Sequence, residues 1–268
     1  MKEQIIIFFT ALMFYTRIPC PKNIDHSPEY LNKATRYFSL IGIIVGLISF
    51  IIFITFNYLL GSTLAVTLAI LAGVLTTGAF HEDGLADVFD GFGGGWNKLQ
   101  ILTIMKDSRV GAYGGIALVF LFLIKFIALV QITALSLTSL LYDQAYLIIG
   151  LVFVTYHSLA RFSASNIIFF STYSREDETS KVKPIAKSHT KKEVFGVYFF
   201  GLLPLFFFSI IQPQILLVLI PLVLLIYYSK KYFEKWIDGY TGDCLGAVEQ
   251  LAECIILLSI ISIWKFFG

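Results

Sequence analysis

Long apolar runs broken by short polar stretches set the pattern of this chain. A bilayer core of about 30 Å takes about 20 apolar helical residues to cross. Runs of that order lie at Phe38–Leu60, Leu64–Phe80, Val110–Ala134 and Ala145–Phe170. A longer run, Val194–Tyr228, contains Pro204, Pro213 and Pro221, and its one polar break is Gln212-Pro213-Gln214. Proline removes a helix hydrogen bond and favours turns, so two spans joined by a tight turn near Pro213 are expected. Leu251–Phe267 is the seventh span. Ile5–Tyr15 is apolar but short, which suits a re-entrant or interfacial segment or part of a tilted first helix. Lys2 precedes it as in a signal peptide, yet Arg17-Ile18-Pro19 follows in place of a small-residue cleavage site, so the segment is expected to stay on the chain. The predicted fold is all-α: one polytopic transmembrane helical bundle over residues 1–268, of about seven spans.

Alternating these spans sorts the charges. Loops 16–37, 81–109, 171–194 and 229–250 hold 16 of the 20 Lys and Arg, and loops 61–63, 135–144 and 211–214 hold none. The positive-inside rule places the first set in the cytoplasm, and the expected location is the plasma (inner) membrane, multi-pass. The second set carries one acid, Asp143. The chemistry is therefore expected on the cytoplasmic face. Loop 171–194, with Arg175, Lys181, Lys183, Lys187, Lys191 and Lys192 among Glu176, Asp177 and Glu178, serves headgroup attraction or the grip of an anionic substrate.

Composition narrows the class. The 268 residues are 57% hydrophobic and 14% charged, against about 25% charged in soluble domains. That excludes an ordinary soluble enzyme and a disordered chain. A net charge of +2 gives no reason to expect a nucleic-acid partner. Cys20, Cys244 and Cys254 are odd in number and fit no disulfide framework or close metal spacing. Whether the chain forms a homo-oligomer is left open.

The most informative segment is His81-Glu82-Asp83-Gly84-Leu85-Ala86-Asp87-Val88-Phe89-Asp90-Gly91-Phe92-Gly93-Gly94-Gly95. On a helix Asp83, Asp87 and Asp90 share one face. Like charges at that spacing repel, and a hard cation removes the repulsion. Mg²⁺ commonly takes one or two carboxylates plus substrate phosphates. Gly93 and Gly94, with their glycine neighbours, suit sharp turns and an anion-binding concavity, although a glycine run alone also suits a plain loop.

Met105-Lys106-Asp107-Ser108-Arg109-Val110-Gly111 follows, with two cations three apart. Lys106 and Arg109 supply a point charge and a planar fork for phosphate, with Ser108 beside them. A second polar cluster, Asp238-Gly239-Tyr240-Thr241-Gly242-Asp243 to Glu249, repeats the pattern Asp-Gly-aromatic-x-Gly of residues 90–94. Asp238 and Asp243 are candidates to complete the metal site, and Asp90, Asp243 and Glu249 are the candidate general bases. Arg161, four residues after His157 in a span, binds phosphate or pairs with an acid. His157 reads as a structural histidine, and Lys125 has no assigned role. Arg17 and Arg36 serve as anchors or substrate contacts.

These segments resemble the cobalamin synthase family of adenosylcobinamide-GDP ribazoletransferases. Phe14-Tyr15-Thr16-Arg17-Ile18-Pro19 and Arg36-Tyr37-Phe38 fit as well, so the likeness runs through nearly the whole chain in order. Glu82 departs from it, since the family pattern has a small polar residue there. The resemblance implies that α-ribazole or its 5′-phosphate attacks adenosylcobinamide-GDP, releasing GMP and giving adenosylcobalamin or its 5′-phosphate. It also implies Mg²⁺ as cofactor and corrinoid and nucleoside substrates. The ligands expected are Asp83, Asp87 and Asp90, joined by Asp238 or Asp243. Rival readings are a CDP-alcohol phosphotransferase, an aspartate-rich prenyltransferase and, from a different class, a transporter with midplane charges.

Overall fold

The computed structural model describes residues 2–22, 24–25, 27–138, 144–174 and 189–267. Asp143 and the charged run from Arg175 to Lys187 lie outside the described residues. The elements in order are α1 (Lys2–Tyr15), α2 (Pro28–Ala34), a 3₁₀ turn (Thr35–Tyr37), α3 (Phe38–Leu60), α4 (Ser62–Thr77), α5 (Phe80–Gly94) and α6 (Lys98–Ile104). They continue with α7 (Ala112–Thr138), α8 (Ala145–Phe170), α9 (Lys191–Ile211), a 3₁₀ turn (Pro213–Val218), α10 (Leu219–Ile237) and α11 (Gly242–Phe267).

Among the described residues, six helices are long and apolar enough to cross a membrane. A seventh span forms if α4 and α5 are counted together, although they meet at 87°. The turn expected near Pro213 is present. The stretch Ile5–Tyr15, expected as a re-entrant or interfacial segment or part of a tilted first helix, lies within α1.

The buried share of the span is 78% for α8 and 67% for α11, against 17% for Pro213–Ile237. Helices α8 and α11 are thus the centre, and α10 is at the outside. Without a hydrophobic force between helices in lipid, close approach depends on small residues. On α3, a β-carbon at Gly42 would stand 2.5 Å from the carbonyl oxygen of His157, and one at Gly46 would stand 2.6 Å from that of Phe153. Helices α3 and α8 therefore touch backbone to backbone. Gly46→Leu is expected to destabilise the bundle by about 1–3 kcal/mol through overpacking. Thermal unfolding in detergent checks this, and an unchanged midpoint would refute the contact.

The bend between α4 and α5 has a local cause. Gly78 (φ +70°) and Ala79 (φ +59°) both take the left-handed conformation, which ends α4 and turns the chain sharply. Ala79 carries a β-carbon there, and non-glycine residues adopt that region at a cost. The Arg17 backbone N–H donates to Thr76 C=O at 2.7 Å, and its side chain lies against Gly78. Tyr240 pairs with Thr172 and Ser174 through backbone hydrogen bonds of 2.9 and 2.8 Å, so the α8 exit is fixed to the α10–α11 link.

Candidate active site

Helix α5 carries the three aspartates expected on one face. Asp83 is exposed, Asp87 half-buried and Asp90 buried. Asp90 is buried because the start of α7 packs over it. Asp90 accepts hydrogen bonds from Gly111 N–H (2.7 Å) and Gly114 N–H (2.9 Å), so its two oxygens hold the first turn of α7. A β-carbon at Gly111 or Gly114 would strike this carboxylate at 2.4 Å. The glycines after Asp90 do not form a turn. Gly91, Gly93 and Gly94 continue α5 to its end, and their lack of side chains brings α5 close to Met105 and Tyr113. The reading of Gly93 and Gly94 as turn-makers is corrected here: contact, not chain reversal, is what they allow.

Between α6 and α7, Lys106, Ser108 and Arg109 are exposed at the same end. Asp107 receives Arg109 Nη2 at 2.6 Å and Nε at 3.0 Å, a bidentate fork. The hydrogen-bonded Arg109 guanidinium holds the Asp107 carboxyl down at about 2. Asp107 is thus ionised across the working pH range, and its partner is oriented before any phosphate arrives.

The second cluster divides. Asp238, left-handed at φ +56°, ends α10, is exposed and pairs with Lys98 at 3.2 Å. Asp243 lies in the first turn of α11, and its backbone packs on Gly84, where a β-carbon would be 2.9 Å from the Asp243 carbonyl oxygen. Residue 84 sits between Asp83 and Asp87, so α11 begins against the acidic helix. Thr241 Oγ1 donates to Asp243 at 3.3 Å.

Among the described residues, no three His, Cys, Asp or Glu side chains form a metal cage by themselves. Asp90 is engaged by two backbone N–H groups and Asp238 by Lys98. The donor set fits a hard cation that asks the protein for one or two carboxylates and completes its shell with phosphate oxygens and water, the habit of Mg²⁺. Asp83 and Asp87, four apart on α5, present such a pair.

Behind this end lies a second polar system inside the bundle. Arg161 (α8) pairs with Glu249 at 2.7 Å and approaches Glu253 at 3.7 Å, both on α11. Glu253 also meets His157 at 2.6 Å and Lys125 of α7 at 2.5 Å. Lys125 further donates to Gln250. All of these side chains are buried, and His81 and Glu82 of α5 join them around one small cavity. Arg161 was expected to bind phosphate or to pair with an acid, and Glu249 was one of three candidate general bases. The structure pairs them with each other in the interior, Arg161 only 1% exposed and Glu249 fully buried. The physical reason is register: α11 starts at Gly242, nine residues before the apolar run, so Glu249 already lies within the packed helix. Arg36 is likewise buried, donating to Glu193 and to Gln4, which ties α9 and α1 to the Thr35–Tyr37 turn. Arg17 remains exposed.

Glu253, His81 and Gln250 were missed in the sequence. A usable signal existed: Glu249 and Glu253 are four apart, as are His157 and Arg161, and matched spacings on two spans suit facing ion pairs.

Comparison with known proteins decides the family. Residues 7–261 match the family described as cobalamin-5-phosphate synthase. The chain belongs to that family. A protein of Shewanella sp. (strain W3-18-1) named adenosylcobinamide-GDP ribazoletransferase is 43% identical over 262 residues, covering 97% of this chain and 95% of the relative. Proteins of the same name from Shewanella oneidensis and Shewanella amazonensis are 43% and 41% identical over 254 and 269 residues. These cover 94% and 98% of this chain, and 92% and 98% of the relatives. No solved structure matches. Family membership makes the chain a transferase of cobalamin biosynthesis.

Proposed function

We propose that the protein joins adenosylcobinamide-GDP to α-ribazole, or to its 5′-phosphate, giving adenosylcobalamin or its 5′-phosphate and GMP. The observation that carries this reading is one polar end where α5, the 105–111 link and the start of α11 converge, in a chain that aligns along almost its full length with named ribazoletransferases. The acceptor hydroxyl of the nucleoside attacks the cobinamide-side phosphorus. The bond from that phosphorus to the GMP oxygen breaks, GMP leaves with the electron pair, and the hydroxyl proton passes to a carboxylate. Asp243 suits that role best of the three candidates: it is half-buried at the polar end, whereas Glu249 is enclosed and Asp90 holds α7. Lys106 and Arg109, exposed and three apart, take the negative charge of the phosphates, and Asp107 orients the Arg109 fork.

Mg²⁺ is the cofactor in this reading, with Asp83 and Asp87 to hold it. When bound it neutralises the diphosphate and favours departure of GMP. The polar end faces the cytoplasm of the plasma membrane, in accord with the charge of the loops. Ser108→Cys is therefore expected to react with an impermeant thiol reagent in inverted vesicles and not in intact right-side-out ones. Labelling only in the latter would reverse the orientation. Purified protein given Mg²⁺, adenosylcobinamide-GDP and α-ribazole is expected to yield GMP and the joined corrinoid in equal amounts. Absence of both, or loss of nothing on EDTA treatment, would overturn the reaction or its metal.

A further inference from the structure

Beside the acidic helix lies an open groove of about 660 Å³ between α5, α7, α10 and α11. Such a volume lies within the usual 300–1,000 Å³ of small-molecule clefts. Its walls are aromatic. Phe92 of α5 faces Tyr232 of α10 with ring centroids 5.1 Å apart, and Phe233 with centroids 5.7 Å apart. Tyr113 closes one side, at the start of α7. Lys231 and Lys235, both exposed, stand on the α10 wall four residues apart.

Two observations connect this groove to the polar end. Asp90 accepts from Gly111 and Gly114, the residues that bracket Tyr113, so the aspartate that fixes α7 also fixes this ring. Gly93 provides the second link. A β-carbon there would be 2.6 Å from the Tyr113 ring, so the ring lies directly on the α5 backbone. The walls suit a flat occupant with one end near the Tyr113 ring that Asp90 fixes, and the lysines favour negative charge where it is present. A lipid acyl chain has no use for the order that Asp90 imposes on one tyrosine.

We propose that this groove receives the planar aromatic base of the nucleoside acceptor, with Tyr232, Phe92 and Tyr113 as its stacking surfaces and Lys231 and Lys235 toward its phosphate. The proposal rests on the transfer reaction above for the identity of the nucleoside. Base–aromatic stacking contributes about 1–3 kcal/mol per base, roughly 5-fold to 150-fold in affinity.

The test uses the full chain in nanodiscs. Equilibrium dialysis measures α-ribazole binding without corrinoid or turnover, and steady-state kinetics give a KM for each substrate. Tyr232→Ala and Gly93→Val are expected to weaken α-ribazole binding and to raise its KM by about 10-fold, within the range of a lost stacking contact. The KM for adenosylcobinamide-GDP is expected to hold within about twofold, and Tyr232→Phe to keep wild-type α-ribazole affinity, because the ring rather than its hydroxyl makes the contact. Tyr232 is 46% exposed, so its replacement leaves the core intact. The proposal is overturned if both variants bind α-ribazole normally, if the corrinoid KM rises instead, or if only co-purifying phospholipid, counted by mass spectrometry, is lost. Wild-type protein that binds α-ribazole but releases no GMP would refute the transfer reading and leave the groove standing.

Discussion

Asp87→Asn is expected to lower the rate of GMP release by more than about 100-fold, the scale seen when one preorganised electrostatic contact is removed from a transition state. The change keeps size and helix propensity nearly constant, so folding is expected to survive. The loss should fall on kcat, because the charge of Asp87 matters most where phosphate charge develops. Asp83→Asn is expected to act in the same direction. Initial rates at saturating substrates, with thermal unfolding as a control for folding, decide the matter. Near-normal turnover in Asp87→Asn would remove this residue from the site. Asp90→Asn predicts a different pattern: an amide accepts through one oxygen only, so one of the two α7 N–H groups loses its partner and stability falls along with activity.

Arg161→Met carries the second large effect, this time on stability. Arg161 is 1% exposed and pairs with Glu249, which is fully buried. Removing one partner of a buried pair leaves a charge with no compensation, at a cost of about 3–5 kcal/mol. Replacing both partners by apolar residues of similar volume is often neutral. Arg161→Met combined with Glu249→Leu is therefore expected to recover most of the stability lost in the single variant. Denaturation in detergent of the four proteins of this cycle gives the coupling directly. Additive losses would mean that the two residues do not act as a pair, and full activity in the double variant would confirm that neither touches substrate.

How the sequence disclosed this molecule depends on which forces wrote which residues. The spans were legible because lipid imposes one rule on every residue that faces it. The break at Gln212-Pro213-Gln214 was legible because a polar pair beside proline has few other uses in an apolar run. The α4–α5 bend was not, since Gly78-Ala79 gives a weak local signal and its angle depends on Arg17 packed against it. Asp83, Asp87 and Asp90 share α5 as their spacing predicted, yet burial differs along the three because the start of α7 packs over Asp90 while Asp83 is exposed. Glu249 illustrates the limit most clearly. Its distance from Asp243 suggested the same polar cluster, but α11 begins early enough to carry it into the core. Lys125 had no role in a linear reading because its partners, Gln250 and Glu253, are distant in sequence.

The interior ion pairs also bear on how the protein is made. A ribosome delivers Lys125 and Arg161 to the bilayer well before Glu249 and Glu253 emerge, since α7 and α8 precede α11. Until then two cations sit in nascent spans with no counter-charge from α11. Insertion of α11 is consequently the event that brings Glu249 and Glu253 to these cations, and a chain stalled ahead of it would hold Lys125 and Arg161 with Glu82 of α5 as the carboxylate beside their cavity.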